Sequence, residues 1–319
     1  MKIVFIGTSE FGVPALTALA GSKEHTITGV ITQPDRPAGR QQKPAPSPVK
    51  EAAFRLHLKI FQPEKIKAAS VVKQIEYLEP DVIVVAAYGQ ILPKAVLDLP
   101  QYGCLNLHAS LLPKYRGASP IQSAILGREK ETGVTIMWMD EGLDTGDMMR
   151  TEKTSIRAAD TAQTVHDRLG QLAAKALLKA LDDVKGGKAA RVKQDAEKAT
   201  YAPKLTKESG KIDWSKTKRD IDAHIRAMTP WPSAYTWVPD GRKDSPDHKM
   251  LKVFSTIFSR RAKGKPGEVV AIDRHGVLVA TGGGGGLLLR EVQLEGKKRM
   301  HAAEFARGFN LALGTILGG

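Results

Sequence analysis

The run Leu105-Asn106-Leu107-His108-Ala109-Ser110 sets an amide and an imidazole two residues apart in otherwise apolar surroundings. If the run is a strand, side chains alternate between its faces, so Asn106 and His108 share one. An amide N–H beside an imidazole can stabilise the oxyanion that forms when a carbonyl is attacked, and the imidazole can move the proton. A third partner is available in Asp140-Glu141-Gly142-Leu143-Asp144-Thr145-Gly146-Asp147, an acidic, glycine-punctuated segment that follows another apolar run. One of its four carboxylates could orient His108, and spacing alone leaves open which one.

Other chemistries find less support. Gly7-Thr8-Ser9-Glu10-Phe11-Gly12 follows an apolar run, with Asp35 as a candidate ribose ligand, but lacks G-x-G-x-x-G spacing and so the close-approach position a pyrophosphate needs, which demotes the dinucleotide reading. No G-x-x-x-x-G-K-[ST] occurs. The lone Cys104 forms no intramolecular disulfide and reads as a small buried residue. With no signal peptide or membrane-spanning run at the N-terminus, the cytoplasm is the expected compartment, with no membrane partner.

The elements that must hold these groups follow from periodicity. Apolar runs at 2–7, 26–32 and 82–88 read as strands buried on both faces, and helical spacing at 13–19 and 49–58 alternates with them. Ser47 is the expected N-cap of the second helix, with Pro48 at its first position. This grammar predicts a Rossmann-like α/β domain with a mostly parallel sheet, extended by strands at 103–108 and 133–139 and closed by a long helix over 161–184. After residues 190–206, read as a linker, short strands at 234–238, 250–258, 267–272, 277–281 and 287–294 suggest an OB-like β-barrel over 207–319.

The 319-residue chain carries a net charge of +14, and residues 207–319 hold 20 Lys and Arg against 12 Asp and Glu. An anionic partner is compatible with that excess. A second basic feature is the stretch 33–48, where Pro34, Pro37, Pro44, Pro46 and Pro48 exclude helix or sheet interior and Arg36, Arg40 and Lys43 oppose only Asp35. It is expected to be an irregular loop at a strand's carboxyl end, where open α/β sheets bind ligands.

Taken together, the early Gly-Thr-x-x-Phe, Ala87-Tyr88-Gly89-Gln90-Ile91-Leu92-Pro93, the stretch from Asn106 to Gly117, and Leu143-Asp144-Thr145-Gly146 resemble the 10-formyltetrahydrofolate-dependent formyltransferase family. The resemblance runs on through Lys211-Ile212-Asp213-Trp214 and Thr229-Pro230-Trp231-Pro232. Within the family, the stretch from Arg36 to Lys50 is similar to the insertion of the members that formylate methionyl-tRNA. The alternative is a member acting on an amino-sugar nucleotide.

What this resemblance implies is an enzyme that moves a formyl group from 10-formyltetrahydrofolate to the α-amino group of initiator methionyl-tRNA, needing neither metal nor nucleotide. It implies a catalytic set of Asn106, His108 and Asp144. The folate would be walled by Gln90, Ile91, Leu92 and Pro93 and by Ser110, Leu111, Leu112 and Pro113, and the tRNA met by Arg36, Arg40 and Lys43. Residues 1–189 would hold the chemistry and 207–319 would bind tRNA, in a chain acting as a monomer.

Overall fold

The computed structural model describes residues 1–38, 43–239, 248–260 and 262–318, with Ala38 and Lys43 described by backbone alone. The chain forms two compact units. The first comprises Met1–Pro120, Glu131–Ser155 and Val165–Pro203, and the second Ile121–Lys130, Ile156–Thr164 and Lys204–Gly319.

The first unit is built on seven strands: β1 (Lys2–Gly7), β2 (Thr26–Ile31), β3 (Ile60–Phe61), β4 (Val82–Ala86), β5 (Cys104–His108), β6 (Glu131–Trp138) and β7 (Met148–Ser155). They lie side by side in the order β7-β6-β5-β4-β1-β2-β3. The five from β3 to β5 run parallel, and their continuous apolar runs are explained by burial on both faces: Ile3, Val4, Phe5 and Ile6 are fully buried. β6 runs antiparallel to β5, and β7 antiparallel to β6, which corrects the expectation that 133–139 extends the parallel set. The pattern did not disclose this because a buried strand reads the same in either direction. Thr154, Lys153 and Glu152 make β7 a polar edge strand.

Helices cover the sheet. Val13–Ala20 and Pro48–Arg55 follow β1 and β2, and the Ser47 hydroxyl accepts the Lys50 N–H at 3.0 Å as the expected N-cap. The second helix stops at Arg55, short of the expected 58, where His57 turns into the left-handed region with φ 55°. The long helix Ala162–Lys185 buries Val165, Leu169, Ala173, Leu177 and Leu181, a stripe of helical period.

The stretch 33–48 is less irregular than its prolines suggested. Arg36–Ala38 and Lys43–Ala45 form a minimal antiparallel ribbon in which Pro37 faces Pro44, a pairing that asks for no proline N–H.

The second unit centres on an antiparallel sheet of β8 (Ala234–Pro239), β9 (His248–Ser259), β10 (Val269–Asp273), β11 (Gly276–Ala280), β12 (Gly286–Leu294) and β13 (Met300–His301). Its order is β8-β9-β12-β11-β10, with β13 on β12. The ladders do not close the expected OB-like barrel, since none joins β8 to β10 among the described residues. Instead the C-terminal tail bonds to both edges. Val269 N–H donates to Thr315 O and Gly314 N–H to Val269 O, each at 2.8 Å, and Gly318 N–H donates to Trp237 O at 2.9 Å. Strand spacing announces the strands but not which segment satisfies the last edges. Among the described residues, no helix is long and apolar enough to cross a membrane.

Candidate active site

β5 projects Leu105 and Leu107 into the core, and their alternates Asn106 and His108 onto the opposite face. Because β6 is antiparallel to β5, it ends at Trp138 opposite Leu105, and the segment 140–147 can fold back over the face that carries Asn106 and His108. Its Asp144 reaches both. The Asn106 Nδ2 donates to Asp144 Oδ1 at 3.2 Å, and Asp144 Oδ2 lies 3.6 Å from His108 Nδ1. The other imidazole nitrogen, Nε2, sits 2.8 Å from the Tyr115 carbonyl, which only accepts. Nε2 therefore carries a hydrogen, and Nδ1 faces the carboxylate. Asn106 keeps a second amide hydrogen with no protein acceptor among the described residues.

The choice among four acids is made by folding rather than by spacing. Asp140 turns inward on its own loop, accepting from Gly142 N–H at 3.0 Å and from the Thr145 hydroxyl at 2.8 Å. Glu141 is exposed, and Asp147 is tied to β6 by its backbone, whose carbonyl accepts the Trp138 N–H at 2.9 Å, with no bond from its carboxylate to Asn106 or His108 among the described residues. Of these four acids, all among the described residues, Asp144 alone meets Asn106 and His108. Its Oδ2 also accepts the Gly117 N–H at 2.8 Å. Both Asp144 and Tyr115 have positive φ, 54° and 62°, in the region that side chains other than glycine rarely occupy. Gly146 packs against the Trp138 carbonyl so closely that a Cβ would collide with it.

One residue that the sequence reading missed closes the arrangement. Gln194 Nε2 donates to the carbonyls of Asp144 at 2.8 Å and Gly146 at 2.7 Å, while its Oε1 accepts from Arg116 Nε at 3.0 Å and Nη2 at 2.8 Å. Nothing in its local pattern marks it, since Gln194 lies in a polar segment far along the chain from Asp144.

The two stretches assigned to folate leave β4 and β5, parallel neighbours, at the same carboxyl ends. Within them the side chains differ in availability. Gln90 is engaged by the protein, donating to Glu64 O at 3.1 Å and to Gln33 Oε1 at 3.2 Å and accepting from Ile66 N–H at 2.9 Å. The Ser110 hydroxyl is buried and donates to Lys114 O at 2.7 Å. Leu92 and Leu112 are buried, Leu111 and Pro113 half-buried, as is Pro93, and Ile91 is 83 % exposed, an apolar surface open to a ligand. Tyr88 points its hydroxyl into the core with no partner among the described residues, and burial pushes its pKa up to about 12.

Of the residues assigned to tRNA, Arg36 lies on the ribbon after β2 and pairs with Glu64 at 3.0 Å, both side chains exposed. Arg40 falls outside the described residues, and Lys43 is described by its backbone on the paired strand. Asp35 is committed to Lys50 at 2.7 Å and to Gln62, and the Lys50 hydrogen bond holds its carboxyl below the usual range. Cys104 is buried in the core, and that burial pushes its thiol up to about 12, which removes it as a nucleophile.

Comparison with known proteins agrees on one family. Residues 1–181 match the formyl transferase family profile, and residues 204–310 match the formyl transferase C-terminal domain. The chain is 56% identical to the methionyl-tRNA formyltransferase of Methylacidiphilum infernorum, across all of this chain and 98% of that one. It is 48% identical to the protein of the same name from Geotalea uraniireducens, with the same coverage. Among solved structures, an N-formyltransferase from Helicobacter canadensis in complex with folinic acid and dTDP-3-aminofucose covers 91% of this chain and 98% of its own, at 19% identity and a TM-score of 0.62. HypX from Aquifex aeolicus in complex with tetrahydrofolic acid aligns over 98% of this chain and 48% of its own, at 18% identity and a TM-score of 0.63. At such identities the last two speak to the fold alone.

Proposed function

The chain belongs to the methionyl-tRNA formyltransferases of the formyl transferase family, and from that membership we propose that Asn106, His108 and Asp144 serve the transfer of a formyl group from 10-formyltetrahydrofolate to the α-amino group of initiator methionyl-tRNA. The reading is carried by one observation, the meeting of an Asn106 amide, a His108 imidazole and the Asp144 carboxylate on one face of β5.

In the transfer the neutral amine attacks the formyl carbon, the carbonyl electrons move onto oxygen, and collapse breaks the bond to N10. The amine gives up a proton and N10 takes one. The free Asn106 amide hydrogen suits the oxygen as it becomes anionic, and such a donor is worth about two to three powers of ten in rate. His108 and Asp144 lie in position to hold the proton between its release from the amine and its return to N10. The Tyr115 carbonyl fixes the ring while this happens.

The folate is assigned to the loops that leave β4 and β5. There Ile91, Leu111, Leu112 and Pro113 supply apolar wall for a flat ring, and Gln90 and Ser110 shape the loops through bonds to the protein. Residues 1–189 carry this chemistry, 190–206 link, and 207–319 bind tRNA with an OB-like sheet whose edges are tied by the tail; the supports are the charge excess of +8 and the tail's hydrogen bonds. Arg36, Arg40 and Lys43 meet the acceptor end. The enzyme acts as a monomer, without metal or nucleotide, in the cytoplasm. Incubation with labelled 10-formyltetrahydrofolate and either charged initiator tRNA or amino-sugar nucleotides tests the proposal: label is expected on the aminoacyl-tRNA, and label on the sugar would overturn it.

A further inference from the structure

We propose that Gln194 is a positioning residue for Asp144, so that the segment joining the two domains is also part of the transfer machinery. This inference rests on the role given to Asp144 above. Residues 190–203 run along the site rather than away from it. Trp138 Nε1 donates to Ala190 O at 3.0 Å, Val192 bridges Met148, and Arg191 lies over the Trp138 ring at 4.2 Å. Further on, Thr200 accepts the Tyr115 N–H through its hydroxyl at 2.8 Å and the Arg116 N–H through its carbonyl at 2.9 Å. Tyr201–Ala202 then pairs with Arg116–Gly117. The segment is thus bonded both to the loop that orients His108 and to the loop that presents Asp144.

Gln194 lies between those two anchorages and is half-buried while Lys193 and Asp195 are exposed. Its amide matches what it meets. The two N–H groups go to two carbonyls of the Asp144 loop, and the one carbonyl goes to the Arg116 fork. Asp144 needs such help, because its backbone is held at φ 54° and its own side chain is spent on Asn106, Gly117 and His108. A carboxyl group displaced by about an ångström can cost about a hundredfold in rate.

Gln194→Glu separates positioning from packing. The carboxylate keeps a partner for Arg116 but loses both N–H donors and sets an oxygen against two carbonyls. The full-length variant is expected to keep its melting temperature within a few degrees and its KM for both substrates within about threefold, while kcat falls about ten- to a hundredfold. In an Asp144→Asn background the same change is expected to alter kcat less than about threefold, because the group it positions is already gone. Full additivity in that cycle, or an unchanged kcat in the single variant, would overturn the proposal. If Asp144→Asn alone leaves kcat intact, the earlier assignment of Asp144 fails instead. Should Gln194→Glu not fold, Gln194→Met, which keeps the stem and no hydrogen bond, is read the same way. Loss of fold in both would show that the segment holds the unit together rather than the carboxylate, and would also overturn it.

Discussion

The loop that carries Asp144 and the ribbon that carries Arg36 are both polar and lack the periodicity of helix or strand in sequence, yet the protein holds them differently. The Asp144 loop is tied within itself by Asp140, from outside by Gln194, and from beneath by Gly146 against Trp138. The Arg36 ribbon rests on three paired positions of backbone, and its arginine leans on an exposed glutamate. Proton and oxyanion chemistry at one carbonyl requires groups fixed within fractions of an ångström. Phosphate contacts work through long cationic side chains and tolerate more freedom. On the proposed reading, rigidity lies where the reaction would be, and reach where the acceptor would be.

His108→Ala is the severest test of that contrast. Steady-state kinetics should show kcat lowered by at least about a hundredfold with both KM values within a few fold, since in the proposed role the ring acts on the transition state. Turnover near wild type would remove the imidazole from the chemistry. Arg36→Ala should do the reverse on a smaller scale. KM for charged tRNA is expected to rise about three- to tenfold with kcat unchanged, and the slope of log affinity against log salt to fall by about one. Losing the exposed pair with Glu64 should itself cost little stability. A fall in kcat without a change in KM would put the ribbon on the same footing as the Asp144 loop.

The smallest effect concerns pH and the second unit. Burial favours neutral His224 and holds its pKa below the ordinary 6.5, although a hydrogen bond with the Gly210 carbonyl works the other way. The unfolded chain takes up that proton more readily, so stability present above about pH 6.5 drains away as pH falls toward the folded-state value. Melting curves between about pH 7.5 and 5.5 should decline, and His224→Gln should flatten the decline by a degree or two. An identical decline in the variant would assign it to other groups, such as His25, which burial also depresses.

Sequence disclosed most of what burial dictates. β1 from Ile3 and β4 throughout are apolar because both faces are covered, and Asn106 and His108 stand out on β5 because a polar pair in such a strand is unusual. It disclosed less wherever the partner is distant. β7 reads as a solvated stretch because its alternating side chains face water. The prolines near Arg36 argued against pairing, but a ribbon this short leaves Pro37 and Pro44 opposite each other and asks neither for an N–H. Spacing left four acids equal, and only the antiparallel return of β6 and the bonds of Asp140 single out Asp144. Gln194, fifty positions from Asp144, and the tail between β8 and β10 belong to the same class.

The assignment of the site turns on Asp144, and single-turnover transfer measures it most directly. Enzyme saturated with 10-formyltetrahydrofolate is mixed with charged initiator tRNA, and the rate of N-formylation is compared between wild type and Asp144→Asn. A rate slowed by at least about a hundredfold, with affinity for both substrates within a few fold, is expected of a carboxylate that acts in the transition state. A rate within about threefold of wild type, from a folded variant, would contradict the grouping of Asn106, His108 and Asp144 as the centre of transfer.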